Sequence, residues 1–442
     1  MSAPINRLLL FGASGDLVGR FLLPALAALR AAGKVGDDLE VVGAAQEDWS
    51  DEEFRDHAAD SLAEHAADVP SDAREATVCA LRYRPVDFAD RAAVDAIVNG
   101  TGTGPLAAYL ALPTGVFPAA ITALDTVGLP AGSRIALEKP FGENLEDAVE
   151  LNSLLARVGP EAGPSAVFRV DHVIGMATAQ NLLGMRTAGW VLEPLWNAEH
   201  IERVELLWEE TLALEGRAGY YDRAGALKDV LQNHVLQVLA LIAMDPPATL
   251  EESDLRNAKV DALRSVRPQP RSRRARYTAG RIGEREVPSY VDEEGVDPAR
   301  RTETYAEVAL ELDRERWAGT EFVLRAGKAL GHKRKGALVH FRGGDDLWIG
   351  IEGPEDIRLS LTGLAAGPPP ERARVVLSGE PPPSDLPAYG RVLLDVLSGG
   401  CTLSVRGDEA EEAWRAVTPV LDAWGRGEVP LEEYAAGSAG PG

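Results

Sequence analysis

Arg7-Leu8-Leu9-Leu10-Phe11-Gly12-Ala13-Ser14-Gly15-Asp16-Leu17 decides how the first third of this chain folds. Arg7 to Phe11 is a short, continuous apolar run, the pattern of a strand buried on both faces. Two glycines in four residues follow, and a helical pattern runs from about Leu17 to Ala32, where Gly33 can close it. Strand, glycine turn and helix in that order make a cradle for phosphate. Glycine lets the backbone come close, and the free N–H groups and positive dipole end of the helix face an anion. The full three-glycine fingerprint is not met at its usual spacing, so Gly12 and Gly15 serve either a pyrophosphate or simply the turn. Gly19, inside the helix, is expected to permit close packing of helix on strand.

Outward from this stretch the same alternation continues. Leu39 to Ala45 reads as a second buried strand, and Ser50 with Glu53 three residues on forms a capping box that opens another helix. Tyr109-Leu110-Ala111-Leu112 is strand-like and Pro113-Thr114 turns out of it. Ile135-Ala136-Leu137 is a further strand, running into Glu138-Lys139-Pro140-Phe141-Gly142. Strands alternating with helices from residue 5 to about 165 predict an α/β domain over 1–165 with a parallel sheet. Beyond it, Ile201 to Leu207, Tyr305 to Leu312 and Ala337 to Phe341 alternate as antiparallel strands with one covered face do. Helical patterns stand at Gly225 to Met244 and Glu409 to Trp424, so 166–442 reads as an α+β domain with a large antiparallel sheet. Pro368-Pro369-Pro370 and Pro381-Pro382-Pro383 read as exposed turns, and Arg271-Ser272-Arg273-Arg274-Ala275-Arg276 as a solvated basic loop.

Charge and cysteine count narrow the function. The 442 residues carry 45 Lys+Arg against 69 Asp+Glu, a formal charge of -24. So acidic a surface repels phosphate backbones and anionic headgroups, which argues against nucleic acid and membrane partners. Cys79 and Cys401 are the two cysteines, too few for a disulfide framework or a closed zinc site, and no metal is expected. Met1 to Arg7 lacks the basic and apolar regions of a secretory leader, and no run approaches the ~18 apolar residues of a membrane span. The expected location is cytoplasmic.

Taken together, several ordered motifs resemble the glucose-6-phosphate dehydrogenase family. They are Gly12-Ala13-Ser14-Gly15-Asp16-Leu17, Tyr109 to Pro113, Glu138 to Gly142, Arg169-Val170-Asp171-His172 and Glu215-Gly216-Arg217-Ala218-Gly219-Tyr220-Tyr221-Asp222. Gln232-Asn233-His234, Thr302 to Tyr305, Arg316 to Gly319, Arg325 to Leu330 and Tyr434 to Ser438 complete the series. The resemblance implies a Rossmann-like NAD(P)-binding domain, a second domain for substrate binding and dimerisation, and a homodimer through the large sheet. It implies oxidation of a hexose, glucose 6-phosphate by default, at C1 to the lactone, with hydride passing to NAD or NADP. His234 matches the general base and Asp171 the carboxylate that orients it, a pairing suited to a C1 hydroxyl that must lose its proton as hydride departs. Lys139 matches the lysine touching substrate and cofactor, and Lys328 a second substrate lysine. Glu210 and Asp229 match acids that accept from sugar hydroxyls, and His172 a ligand of the substrate phosphate. Gly12, Ser14, Gly15, Asp16, Leu17, Leu112 and Pro113 would line the nucleotide.

The chain departs from the family pattern twice. Where a tyrosine and a lysine hold the 6-phosphate, it has Val173 and Met176, which offer neither donor nor cation. Each contact so removed is worth roughly 1.5–3 kcal/mol, and Lys139, His172, Lys333 or another nearby base would have to compensate. After the second strand, an arginine for the 2′-phosphate of NADP is replaced by Gln46-Glu47. An acid there repels that phosphate and can bond a free ribose hydroxyl, which favours NAD, unless these are loop acids that never reach the ribose. The alternatives to a glucose-6-phosphate dehydrogenase are therefore an NAD-dependent dehydrogenase of an unphosphorylated or modified hexose and a catalytically silent sensor or scaffold. A reductase of an unrelated carbonyl would share the first domain but leave the motifs of the second unexplained.

Overall fold

The strand Arg7–Phe11 (β1) is buried at every residue and centres a parallel sheet. In a computed structural model, residues 5–100, 102, 104–163, 166–187, 191–216, 218–352, 356–382 and 384–442 are described. β2 (Glu40–Ala45), β3 (Leu81–Pro85), β4 (Ala107–Leu110), β5 (Arg134–Glu138) and β6 (Val167–Val170) join β1 in the order β6-β5-β4-β1-β2-β3. Every pairing among them is parallel, as the continuous apolar runs predicted. Alternate residues of β1 feed opposite layers. Leu8 and Leu10 pack with Leu26 and Phe54, whereas Leu9 and Phe11 pack with Phe117 and Ile121.

The helix after the glycine turn begins with a π-helical turn, Val18–Leu22, and continues as Leu23–Ala31, with Gly33 at φ +63° ending it. Gly19 faces a helix rather than a strand, correcting the expected contact: a Cβ there would sit 2.9 Å from Ser61 Oγ, on the helix Asp51–His65. The capping box on that helix is present in full, Ser50 N donating to Glu53 Oε2 at 2.7 Å and Glu53 N to Ser50 Oγ at 3.2 Å. The compact unit built on this sheet takes in 1–175, 251–256 and 384–410.

The second unit, 176–250, 257–383 and 411–442, is organised by a nine-stranded sheet. Its strands are β7 (Ile201–Glu209), β8 (Val266–Thr278), β11 (Tyr305–Leu312), β12 (Glu321–Gly327), β13 (Arg334–Phe341), β14 (Asp346–Gly350), β15 (Ile357–Ala365), β16 (Glu371–Gly379) and β18 (Leu431–Ala435). β9 (Gly280–Ile282) and β10 (Arg285–Val287) form a small separate hairpin, and β17 (Ser404–Val405) pairs with β6 in the first unit. The large sheet is mostly antiparallel, but β7 with β12 and β8 with β18 run parallel. The basic run Arg271 to Arg276 is not a loop: it lies within β8. Acids on the adjacent strand β18 and on β12, one strand further, draw it in, with Arg273 donating to Glu432 at 2.7 and 3.0 Å, Arg276 pairing with Glu433 at 3.3 Å and Arg271 with Glu321.

The helical pattern from Gly225 to Met244 is broken into three. Ala218–Ala226 contains Gly225 at φ 71° and ψ 174°, Leu227–Val235 is π-helical, and Leu236–Ala243 is regular α-helix. Glu303 explains the break: a Cβ on Gly225 would lie 2.4 Å from its Oε1, and that carboxyl accepts from Leu227 N at 3.1 Å. The pattern from Glu409 to Trp424 lies inside the helix Gly407–Gly425. Pro368 to Pro370 form an exposed turn between β15 and β16, and Pro381 and Pro382 follow β16. Pro383, Arg217 and the first four residues lie outside the described residues. Among the described residues, no helix is long and apolar enough to cross a membrane.

Candidate active site

In the first unit the strand order reverses direction between β1 and β4, and ligands of open parallel sheets bind at such a switch point, beyond the carboxyl ends of the strands. Gly12 through Leu17 leave β1 at that point, and Leu112-Pro113 leave β4 beside them. Gly12 adopts φ +80°, and a Cβ on it would stand 2.2 Å from Ala111 O, so only glycine fits. Gly12 N and Ala13 N bond Ala44 O at 2.7 and 3.2 Å, and Gly15 N closes the turn on Gly12 O at 3.0 Å. Gly15 and Asp16 are exposed, Ser14 and Leu17 half-buried. Open glycine backbone at the start of a helical segment fits a dinucleotide pyrophosphate. Gln46 and Glu47 are exposed at the end of β2, and Glu47 turns back to this loop, accepting from Ser14 Oγ at 2.8 Å.

Lys139 leaves β5 half-buried, in a cis peptide with Pro140. The residue before it, Glu138, is buried and accepts from the Tyr109 hydroxyl. Burial pushes the Glu138 carboxyl up to about 8, and nearby Asp171 adds to that. Asp171 follows β6, is 0% exposed, and its Oδ1 accepts from Val173 N at 3.1 Å. His172 is half-buried with its ring stacked on Tyr389, centroids 5.2 Å apart, and 3.5 Å separates the Tyr389 hydroxyl from Nδ1. Val173 and Met176 are both buried apolar residues.

In the second unit one expected acid, Glu210, and one expected lysine, Lys328, meet at the sheet, joined there by Lys335. Glu210 follows β7; Lys328 donates to its Oε2 at 2.7 Å and Lys335 pairs with its Oε1 at 2.8 Å. Burial opposes the charged carboxylate of Glu210, but the two ammoniums outweigh it and hold the group at about 2. Asp229 and His234 share the π-helical segment, five residues apart and so close to one above the other. The Tyr220 hydroxyl donates to Asp229 at 3.4 Å. His234 is buried with its ring against Trp208, centroids 5.3 Å apart and planes 27° from parallel. Lys333 stands apart from this cluster: it is exposed and pairs with Glu352 at 3.3 Å, on the rim of a groove of about 340 Å³ lined also by Trp348 and Arg358.

Sequence reading passed over Tyr389, Trp208, Lys335 and Glu352. For two of them a signal was present. Trp208 has the parity of Val204 and Leu206 in β7, and Lys335 that of Ala337 and Val339 in β13, so both belong on the covered face. A lysine on a covered face needs an acid, and Glu210 is that acid. Tyr389 comes more than 200 residues after His172 in sequence, and no local pattern connects them.

Comparison with known proteins agrees with these observations over the whole chain. The family model described as glucose-6-phosphate dehydrogenase, NAD binding domain, matches residues 9–181, and the C-terminal domain model of the same family matches 183–442. A glucose-6-phosphate 1-dehydrogenase of Zymomonas mobilis is 34% identical over 100% of this chain and 97% of its own length. One from Treponema pallidum is 36% identical over 98% of this chain and 92% of its own. The solved structure of a glucose-6-phosphate dehydrogenase in complex with glucose 6-phosphate superposes with a TM-score of 0.89 at 28% identity, covering 100% of this chain and 96% of that one. This chain belongs to the glucose-6-phosphate dehydrogenase family.

Proposed function

We propose that this enzyme oxidises a hexose at C1 to the lactone, with glucose 6-phosphate the first candidate substrate and NAD or NADP the hydride acceptor. The observation that carries the reading is the buried cluster of the second unit. His234, on the π-helical segment it shares with Asp229, lies against Trp208 of β7, and on the same sheet the Glu210 carboxyl is held between Lys328 and Lys335. His234 takes the C1 hydroxyl proton as hydride leaves the same carbon; Asp171 keeps the role the family resemblance gives it. Glu210, stripped of its proton at any physiological pH, accepts from sugar hydroxyls, and Asp229 does the same. Gly12 to Leu17, with Leu112, Pro113 and Lys139, would hold the nucleotide, whose nicotinamide supplies the hydride-accepting carbon when bound. In a screen of NAD and NADP against glucose 6-phosphate and glucose, turnover of either sugar is expected. His234→Asn should lower kcat by about 10²–10⁴ with little change in sugar KM. Mutant turnover equal to wild type removes His234 from the role, and no turnover of any hexose favours a silent binder.

Two finer readings follow from particular residues. Buried, apolar Val173 and Met176 support weak selection for the 6-phosphate, within roughly tenfold in kcat/KM against glucose. Val173→Tyr with Met176→Lys should raise that selectivity, and a wild-type preference of several hundredfold would overturn the reading. Glu47, bonded to Ser14 at the glycine turn, supports NAD over NADP. An NADP preference above about tenfold, roughly 1.4 kcal/mol, would contradict it. We further infer a cytoplasmic homodimer formed through the second sheet. Cys79, exposed and free, is at ease in a reducing compartment, and sedimentation tests the dimer.

A further inference from the structure

Trp208 and Lys335 link the assigned base to an acid assigned to the sugar; Lys335 pairs with that acid, and Trp208 has no role so far. The Trp208 indole lies against the His234 imidazole, with 5.3 Å between centroids. Lys335 Nζ lies 4.6 Å from the centre of the same indole. Register explains the second contact, because Lys335 is the cross-strand partner of Trp208 where β13 meets β7. Lys335 is in turn fixed at 2.8 Å to Glu210 and 2.8 Å to Glu352, and Glu210 is fixed to Lys328 at 2.7 Å. Trp208, His234 and Lys335 are 5%, 5% and 7% exposed, so the series of contacts is nearly withdrawn from water.

This arrangement restricts the one motion that would spoil a base. The final torsion of histidine is broad and soft, so backbone placement alone does not fix the plane of the ring. A large flat indole against one face does. The indole is itself held, because an ammonium over an aromatic face is attracted to it and this ammonium is anchored by two carboxylates. Proton transfer needs the imidazole nitrogen aligned within hydrogen-bond reach, and misplacement by about 1 Å can cost a hundredfold.

We propose that Trp208 is a positioning residue for His234, held in place by Lys335 and through it by Glu210. The proposal rests on the reading of His234 as the base. The test compares full-length wild type with Trp208→Phe, Trp208→Leu and Lys335→Met, using glucose 6-phosphate kinetics across pH. It also follows the His234 ring-proton resonance in protein labelled at histidine. Trp208→Leu should lower kcat by about 30–100-fold with sugar KM within about threefold, while Trp208→Phe, which keeps a flat ring, stays within about threefold of wild type. The upfield ring-current shift of the His234 proton should persist in Trp208→Phe and vanish in Trp208→Leu. Lys335→Met, a milder perturbation should leucine unfold the protein, is expected to lower kcat about five- to tenfold at constant KM. Wild-type kcat in Trp208→Leu overturns the proposal, as does an equal loss in the Phe and Leu variants, which would make volume rather than flatness the cause. A raised KM at unchanged kcat in Lys335→Met overturns the holding role and makes Lys335 a substrate ligand. Full turnover in His234→Asn is a separate failure: it removes the base assignment, and the proposal with it, even where the ring-current shift is intact.

Discussion

Glu138 and Glu210 are both glutamates withdrawn from water at the end of a strand, one in each unit, and the protein treats their charge in opposite ways. Burial drives the Glu138 carboxyl up to about 8, with the neighbouring charge of Asp171 adding to it, and the Tyr109 hydroxyl and Lys139 only partly opposing. Burial also works against Glu210, yet Lys328 and Lys335 bring its carboxyl down to about 2. Two cations within 2.8 Å outweigh desolvation; one hydroxyl and one lysine do not. A strand end thus delivers an acid to a site, but the neighbouring strands decide whether it arrives as a donor or as an anion. In the first unit the sheet presents a carboxyl that can hold a proton at neutral pH. In the second it presents a permanent acceptor, the form a sugar hydroxyl needs.

The comparison breaks most visibly if the cations around Glu210 are removed. Lys328→Met with Lys335→Met leaves a buried carboxylate without its two strongest partners, and denaturant unfolding should register a loss of about 3–5 kcal/mol. Adding Glu210→Gln should recover most of it. A double variant as stable as wild type would mean Glu210 is solvated and the contrast with Glu138 is false.

Glu138→Gln tests the other side through pH. The folded carboxyl titrates near 8 and the unfolded one near 4.5, so its neutral form favours folding. That contribution is complete below about 4.5 and is lost as pH rises to about 8. Wild type should therefore lose stability relative to Glu138→Gln across this window, on the order of 5 kcal/mol, and the gap should be flat above it. Unfolding midpoints for the two proteins at pH 5, 7 and 9 check this; a constant gap sinks it.

The smallest effect is expected at Glu209, next to Glu210 in sequence and on the opposite face of β7. Burial opposes its charge too, but Arg334, His332 and Arg325 hold its carboxyl low, Arg334 at 2.7 Å and His332 at 2.9 Å. Glu209 is itself only 1% exposed, but Arg334 is 44% exposed and His332 and Arg325 remain beside the carboxyl, so Arg334→Ala should cost about 1–2 kcal/mol, less than loss of the lysine pair. The loss should shrink further in 0.5 M salt. A loss as large as that of the lysine pair would show that Glu209, not Glu210, is the acid most dependent on its cations.

Much of this was legible in the sequence. The apolar run of β1, the glycine turn and the capping box at Ser50 are local signals, set by sterics and hydrogen bonding within a few residues, and each is present as read. The family resemblance brought Glu210, Lys328, Asp229 and His234 forward, and all four lie in the second unit. The basic run of β8 misled because charge density was read without knowing that Glu432, Glu433 and Glu321 lie on nearby strands. The helix through His234 was read as regular because the residue that breaks it, Glu303, lies 78 positions from Gly225.

By itself, then, the amino-acid sequence determined the elements whose cause lies within one turn or one strand, and the chemistry its motifs carry. Tertiary structure alone decided the strand order that makes a switch point beside Gly12, the π-helical segment, and the placing of Lys335 on Trp208. It also decided that Arg134, buried at the start of β5, caps the far helix Ala388–Ser398 by donating to Val396 O at 2.7 Å, 262 residues away. The physical reason is range. Periodicity, caps and turns are written in neighbouring residues, whereas a buried charge is stabilised by whichever partner the fold brings within about 3 Å, and sequence distance says nothing of that.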